Sequence, residues 1–498
     1  MTHQKIPNQW HEREKLRDKG QFWTPAWVAE AMVAYVMQES SLIFDPGVGK
    51  GAFYTALKKL DPKRKFFGTD IDPEIINEAK NEGILDENAE IEIRDFILTP
   101  PIKLFKSIVA NPPYIRHHRI SQEYKNHFRL LGLKNLGIAL DGRAGLHIYF
   151  LIQALSMLDK GGRLAFIMPA DTCEGVFANK LWNWISKKFS IEGIITFDHK
   201  ATPFPGVDTN AVILLIKNEK PKEKLKWAQC LTPQNHELFE FLKNDLAVGD
   251  YKNLQIYERD LNEALKTGFS RTPMGNHDFE YTLADFAYVM RGIATGANEF
   301  FFLTKGKAKE IGIPDEYLLP AVGRTRDAAG SYLTKNNLDE LEEKGRPTQL
   351  FSPNNYKWED MPEKVKNYIL EGEKLGLSKR ALISTRKPWY KMEERKIPKF
   401  LFSYLGRRNA RFIKNESGAV PLTGFLCIYP HSNDKDYTDK LWTILQQQET
   451  ISNLKLVGKS YGSGAIKVEP RSLEKLPINS EIVIEMGLKS IKTDLTLF

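Results

Sequence analysis

The sequence predicts an α/β fold, a mostly parallel sheet covered by helices on both faces, followed by a second, mixed α+β unit. Three observations carry this. Short apolar runs alternate with helical patterns through the first part of the chain. That rhythm stops near Lys217, where Lys217–Lys226 is strongly charged. Beyond Tyr281 come scattered aromatics and glycines without the alternation. Apolar strands joined by helices are the signature of βαβ units.

Ser41–Phe44 opens the series as a strand. Lys65–Thr69, Ile91–Ile93, Ser107–Ala110, Leu164–Met168, Ile194–Phe197 and Ala211–Ile216 continue it. Several of these stand about 15–30 residues apart, the length of a βα unit. Ala52–Lys59 and Pro73–Asn81 are helical in pattern, and Leu146–Leu158 is a longer helix that Lys160-Gly161-Gly162 would end. Residues 226–280 are less regular and read as a connection with some helix. In the second unit Asn336–Lys344 and Glu359–Lys374 read as helices. The expected organisation is a first domain over 1–225, a connecting segment over 226–280 and a second domain over 281–498.

Composition bounds the partners. At roughly 100–200 residues per domain, 498 residues suggest about two to four domains. With 42% hydrophobic and 27% charged residues, a globular core is expected and wholesale disorder is not. The formal charge of +8 favours a polyanionic partner. Cys173, Cys230 and Cys427 are odd in number and far apart, against a disulfide framework or a cysteine-rich zinc site. From the polar start no signal peptide is expected, and no apolar run approaches the ~18–20 residues of a membrane span. A cytoplasmic protein without a membrane partner is expected. Between Ala381 and Pro430, 10 Lys+Arg stand against 3 Asp+Glu and interleave with aromatics such as Trp389, Tyr390, Phe400 and Phe412. Such a window suits a phosphate-contacting surface; a solvated face over a core would have the same composition.

Asp45-Pro46-Gly47-Val48-Gly49-Lys50-Gly51 follows the first strand directly. Glycine lets backbone approach a ligand where a Cβ would collide, and the crevice at the carboxyl ends of the strands is the expected pocket. The loop is neither G-x-G-x-x-G nor a Walker A motif, since Gly51 follows Lys50. Asp70, before Ile71, ends the second strand, where a carboxylate can accept both hydroxyl protons of a ribose. Asp95, before Phe96, follows the third strand and can accept from an adenine amino group. Each of these aspartates alone could be a helix cap or a surface charge. Together they suit a nucleoside carrying a positive centre and would repel a pyrophosphate.

The sharpest motif is Asn111-Pro112-Pro113-Tyr114, after the fourth strand. Two prolines stiffen the loop. The Asn111 side-chain carbonyl and the Pro112 backbone carbonyl are adjacent acceptors for the two protons of an exocyclic amine. Tyr114 offers a flat face on which a base can stack.

Together these motifs resemble the S-adenosylmethionine-dependent DNA adenine-N6 methyltransferases. Their order resembles the gamma class, typified by the TaqI-like enzymes of type II restriction-modification. Gly20-Gln21-Phe22-Trp23-Thr24-Pro25 is similar to that family's N-terminal segment, which closes over the methionine end of the cofactor. Phe204-Pro205-Gly206 resembles its Phe-Pro loop, whose aromatic contacts the flipped base. Arg291–Asn298 and Ser463-Gly464 resemble segments of its specificity domain. Gly47-Val48 departs from the small residues the family often has there, at a place where contact is mostly through backbone.

The resemblance implies a Rossmann-like class I methyltransferase sheet, with a C-terminal target-recognition domain over 281–498. It implies S-adenosyl-L-methionine as cofactor, bound by Thr24, Pro25, Asp45, Pro46, Gly47, Gly49, Gly51, Asp70, Ile71, Asp95, Phe96 and Asn111. It implies catalysis by Asn111, Pro112, Tyr114 and Phe204 on a base flipped from double-stranded DNA. The reaction would be direct in-line transfer with no nucleophilic cysteine, and Cys173 lacks the preceding proline of cytosine-C5 enzymes. Arg116, Arg119, Arg324, Arg326, Arg386, Arg407 and Arg408 are the candidates for DNA contact. His117-His118 is too isolated for a metal site, and no metal is expected. A monomer would suffice, and any cognate restriction endonuclease would be separately encoded and need not touch this chain. With so short a stretch before Gly20, no nuclease domain is expected there. Cytosine-N4 methylation, methylation of RNA or of a protein glutamine, and a catalytically inactive DNA-binding module remain open as alternatives.

Overall fold

The computed structural model describes residues 22–140, 142–173, 177–205, 210–273, 280–403, 410–460 and 466–490. Two compact units change over between 273 and 280.

The first unit is built on a nine-stranded sheet. Its strands are β1 (Leu42–Asp45), β2 (Lys65–Asp70), β3 (Ala89–Ile93), β4 (Phe105–Ala110), β5 (Leu158–Pro169), β6 (Ser190–Phe197), β7 (Ala211–Lys217), β8 (Lys224–Cys230) and β9 (Leu254–Asp260). Their spatial order is β3-β2-β1-β4-β5-β7-β6-β8-β9. β1 to β5 are parallel, and β7 enters antiparallel between β5 and β6. Strand order reverses between β1 and β4, so a crevice opens there at the carboxyl ends of the strands.

Successive side chains of the central strands enter different cores, as the pleat requires. Ile43, Val109, Ala165 and Ile167 join α1 (Ala26–Val36), α2 (Ala52–Leu60), α3 (Pro73–Asn81) and a later helix, His236–Lys243. Phe44, Ile108, Leu164 and Phe166 join the other core with α4 (Gln122–Leu136), α5 (Leu146–Ser156), α6 (Ala178–Lys188) and Leu261–Thr267. The last two helices in chain order are α7 (His236–Lys243) and α8 (Leu261–Thr267). α1 is apolar nearly all round, with every residue from Val28 to Val36 except Glu30 buried, as befits a helix packed on several sides.

Two expectations change. α5 stops at Ser156, and Lys160-Gly161-Gly162 lies inside β5 instead of ending a helix. Gly161 has φ +77°, and the β4–β5 register shifts between Phe105 and Ser107. The glycines thus serve a bulge, another use of the same conformational freedom. The stretch expected as a connection from 226 instead contributes two strands: β8 pairs parallel with β6, and β9 antiparallel with β8. Lys224, Lys226 and Glu258 pair across this edge, and such charged positions broke the apolar run the sequence reading relied on.

The second unit contains a five-stranded mixed sheet, ordered Ala287–Arg291, Phe425–Pro430, Phe400–Ser403, Arg411–Asn415, Tyr332–Leu333. Helix Lys435–Gln446 packs Leu441 and Trp442 into the core beneath Phe400 and Phe402. A four-stranded sheet orders Phe302–Leu303, Gln349–Phe351, Leu318–Val322 and Val420–Pro421. Beside it the Tyr368 hydroxyl donates to the Phe300 carbonyl at 2.7 Å, with the two rings stacked.

Candidate active site

β1 ends in Asp45 and hands over to the glycine loop. Gly49 and Gly51 have φ of +52° and +76°, values L side chains rarely adopt, so the turn into α2 depends on them. Gly47 N donates to Asp45 Oδ1 at 3.0 Å, while Oδ2 is buried with no hydrogen-bond partner among the described residues. Burial pushes the Asp45 carboxyl up to about 8, against the opposing pull of the Gly47 amide. Asp70 Oδ2 accepts from Gly49 N at 2.7 Å and Oδ1 from Asp72 N at 2.9 Å. Burial also holds the Asp70 carboxyl above its ordinary value. Asp95 Oδ1 accepts from Ile97 N and Leu98 N at 2.8 and 2.9 Å, and Oδ2 accepts from the Tyr124 hydroxyl.

These strand ends meet in a cleft of ≈ 470 Å³. Its wall includes Thr24, Gly49, Asp70, Asp95, Asn111 and Tyr124, with Pro46, Gly47, Ile71 and Phe96 also in the lining. Asp45 and Gly51 shape the loop from behind and are not part of the wall, and Pro25, Pro112, Tyr114 and Phe204 lie outside it as well. Acceptor carboxylates at the ends of β2 and β3, glycine backbone between them and the apolar rings of Phe96 and Phe150 are polar and packing groups that fit a nucleoside with a cationic centre.

Asn111 follows β4 at the end of this wall. Its Nδ2 donates to the Phe22 carbonyl and, at 3.2 Å, to Thr24 Oγ1. Its Oδ1 is buried without a partner among the described residues. Both amide protons are used, so what remains is an acceptor. A buried acceptor left unmatched costs free energy, which is expected where a ligand's donor completes the site.

Tyr114 belongs to an aromatic group. Its ring centroid is 5.4 Å from Phe22 and 6.3 Å, edge-on, from Phe204, and Phe22 lies 6.0 Å from Phe204. The Tyr114 hydroxyl donates to the Ile167 carbonyl at 3.1 Å, fixing the ring to β5. His147 stands edge-on to Tyr114 at 6.0 Å, and burial lowers its imidazole to about 4.

The other candidates are dispersed. Arg116 and Arg119 are exposed just after the Asn111–Tyr114 loop, and Arg119 also lines the cleft. Arg324 and Arg326 are exposed on a turn of the second unit. Arg386 is half-buried, donating to the Ala294 carbonyl over the Phe301 ring, and burial lowers its guanidinium below the usual value. Arg407, Arg408, Gly20, Gln21, Gly206 and Ser463-Gly464 lie outside the described residues. In the basic window, Phe400, Phe402, Phe412 and Tyr390 are core residues, and Lys414 and Arg395 pair with Asp439 and Glu393. These four aromatics therefore serve packing, while Lys387, Lys391, Lys396 and Lys399 are exposed.

Tyr124 and Phe150 in the cleft wall escaped the sequence reading. Both sit on helices with no motif spacing to the glycine loop. The signal for Tyr124 is weak, a hydroxyl ten residues past Tyr114. Among the described residues no group of three or more His, Cys, Asp or Glu could hold a metal ion, and no helix is long and apolar enough to cross a membrane.

Comparison with known proteins agrees across both units. Residues 53–204 match the model of the Eco57I restriction-modification methylase, and residues 274–496 match that of the C-terminal domain of type II methyltransferase M.Eco57I. The chain is 28% identical over 492 residues to type II methyltransferase M.AccI of Acinetobacter calcoaceticus, covering 96% of this chain and 88% of that one. It is 23% identical over 477 residues to type II methyltransferase M.XamI of Xanthomonas campestris pv. amaranthicola, covering 93% and 85%. Among solved structures, the type IIL restriction-modification enzyme MmeI in complex with DNA superposes with a TM-score of 0.56 at 13% identity, over 94% of this chain and 65% of that one. The chain spans about three fifths of the length of several solved structures it matches. The fold is that of a Rossmann-like class I methyltransferase sheet with a mixed C-terminal domain.

Proposed function

Because the chain belongs to the Eco57I-like type II restriction-modification methylases, we propose that it transfers a methyl group from S-adenosyl-L-methionine to N6 of a flipped adenine in a short double-stranded DNA sequence. The observation that carries this reading is the buried Oδ1 of Asn111, without a partner among the described residues, with its amide nitrogen already committed on the other side.

When bound, the cofactor supplies a methyl group on a sulfonium, already a good leaving group. The chain's task is alignment. Gly47 and Gly49 would let that group approach the backbone, Asp70 would hold its ribose hydroxyls and Asp95 its adenine amine. Asn111 Oδ1 and the Pro112 carbonyl would accept the two protons of the target amine and hold its lone pair toward the methyl group. As the nitrogen gains positive charge, these acceptors bind it more strongly than before, which is stabilisation specific to the transition state. Tyr114 and Phe204 would replace the stacking lost when the base leaves the duplex. The second unit, with Arg324, Arg326 and Arg386, is assigned to DNA recognition. Arg116 and Arg119 are assigned to phosphates beside the flipped base.

The test is incubation of the purified protein with S-adenosylmethionine and genomic DNA lacking adenine methylation, followed by single-molecule sequencing. N6-methyladenine confined to one short motif, and lost in Asn111→Ala, is the expected result. N4-methylcytosine in its place would move the target to the other exocyclic amine. No modified base despite cofactor binding would end the proposal for DNA.

A further inference from the structure

Asp95 has few hydrogen-bond directions left. A carboxylate offers about four lone-pair directions. Two on Oδ1 accept from Ile97 N and Leu98 N, and one on Oδ2 accepts from the Tyr124 hydroxyl. One direction on Oδ2 remains. Tyr124 also lines the cleft, so the pair forms part of the wall a ligand meets.

Tyr124 is fixed from behind. Ser121 caps α4 by accepting from the Tyr124 backbone N–H. The Tyr124 ring meets the edge of Phe128 at 5.8 Å, and Phe128 stacks on Tyr149 of α5 at 3.9 Å. The hydroxyl therefore cannot leave Asp95 without a change in the helix or the side-chain rotamer. A phenol facing a carboxylate donates, and burial together with the Asp95 charge raises the phenol's pKa, so the proton stays on Tyr124. Asp95 is thus presented as a pure acceptor with one place open.

We propose that Tyr124 is a positioning residue for the cofactor's purine, leaving Asp95 a single open acceptor that selects an amino group over an oxo group at the purine 6-position. This rests on reading the cleft as the S-adenosylmethionine site. An amino group completes the fourth hydrogen bond. An oxo group would set lone pair against lone pair, and a buried acceptor facing an acceptor is strongly disfavoured. Without the phenol, a second direction on Oδ2 opens to water, which can bridge to an oxo group and relax the choice.

The experiment is calorimetric titration of the full chain with S-adenosylhomocysteine and with its 6-oxo analogue, S-inosylhomocysteine, for the wild type, Tyr124→Phe and Asp95→Asn. The wild type is expected to prefer the amino form by at least about 100-fold. Tyr124→Phe should narrow that preference by about 10-fold, chiefly through weaker binding of the amino form. Asp95→Asn should narrow it further, and adding Tyr124→Phe to it should have no additional effect. The melting temperature of unliganded Tyr124→Phe checks that the variant is folded. An unchanged preference in Tyr124→Phe overturns the proposal, including the case where both affinities fall together, which is what mere packing would give. A wild type that binds both analogues equally overturns it too. A wild type that binds neither overturns the cofactor reading and this inference with it.

Discussion

Asn111 Nδ2 lies 3.2 Å from Thr24 Oγ1 and also donates to the Phe22 carbonyl. The loop after β4 is thus tied to the segment before α1, and these two bonds leave Oδ1 as the open end of the amide. Thr24→Val keeps the shape of the side chain and removes one of the two acceptors, so the amide is less firmly oriented. Single-turnover methylation should slow about 10-fold, as for loss of one orienting hydrogen bond, with DNA affinity unchanged. A loss of cofactor affinity at an unchanged rate would place Thr24 in binding instead.

Asp45 makes unliganded stability depend on pH. Its carboxyl titrates at about 8 in the folded protein and near the ordinary value of about 4 when unfolded. The fold therefore prefers the protonated form. The group's contribution is full below about 4 and is lost as pH rises through about 8. Without cofactor, the urea midpoint of the wild type should fall between pH 5 and 8.5 relative to Asp45→Asn, by at most a few kcal/mol in stability. Parallel profiles for the two proteins would show that Asp45 is ionised in the fold.

The positions of the first seven strands along the chain were legible because buried strands must be apolar and their ends must carry the polar groups of the site, whereas the antiparallel insertion of β7 between β5 and β6 has no mark in the apolar pattern. Asp70 and Asp95 could be placed by counting βα units. β8 and β9 were not legible, because the last strands toward this side of the sheet carry exposed charges, as in Lys224–Cys230, where lysines interrupt the apolar residues. The Gly161-Gly162 pair was misread because glycine serves helix ends and bulges alike. The Asn111–Thr24 contact and the Tyr124–Asp95 contact join residues far apart in the chain, and spacing alone does not encode them.

Gly68 in β2 is held to glycine by the loop above it. A Cβ there would stand 2.2 Å from Val48 Cγ2 and 3.1 Å from Ile91 Cδ1. Val48 N also donates to the Thr69 carbonyl at 3.1 Å, so the loop has little room to lift. Gly68→Ala should cost about 1–3 kcal/mol, the usual range for overpacking, and weaken cofactor binding by displacing the glycine loop. Adding Val48→Ala should restore most of both. Chemical denaturation and cofactor titration of the single and double variants read this directly. Failure of the second substitution to rescue would place the strain at Ile91.

Arg259 is 1% exposed and uses its whole guanidinium on the chain around α8. It contacts both Glu263 oxygens, Thr267 Oγ1 and the carbonyls of Gly268, Phe269 and Arg271. The Trp227 indole donates to the same Phe269 carbonyl at 3.1 Å, and the Phe269 ring stacks on Trp182 at 4.3 Å. The cation thus closes the C-terminal end of α8, where its charge suits the helix dipole, and fixes residues 268–271 to the sheet. Arg259→Met removes the charge and takes the guanidinium donor from Glu263 Oε2 and from the Gly268 and Arg271 carbonyls, while Thr267 and Trp227 still serve Glu263 Oε1 and the Phe269 carbonyl, for an expected loss of about 3–5 kcal/mol. Arg259→Lys keeps the charge without the planar fork and should fall between the two. None of the partners lines the cleft, so cofactor affinity of the folded protein should not change. Urea denaturation and amide hydrogen exchange over 261–273 test this. Fast exchange there in Arg259→Met with unchanged global stability would show a local clamp, whereas a matched loss in both would show that the segment unfolds together with the sheet.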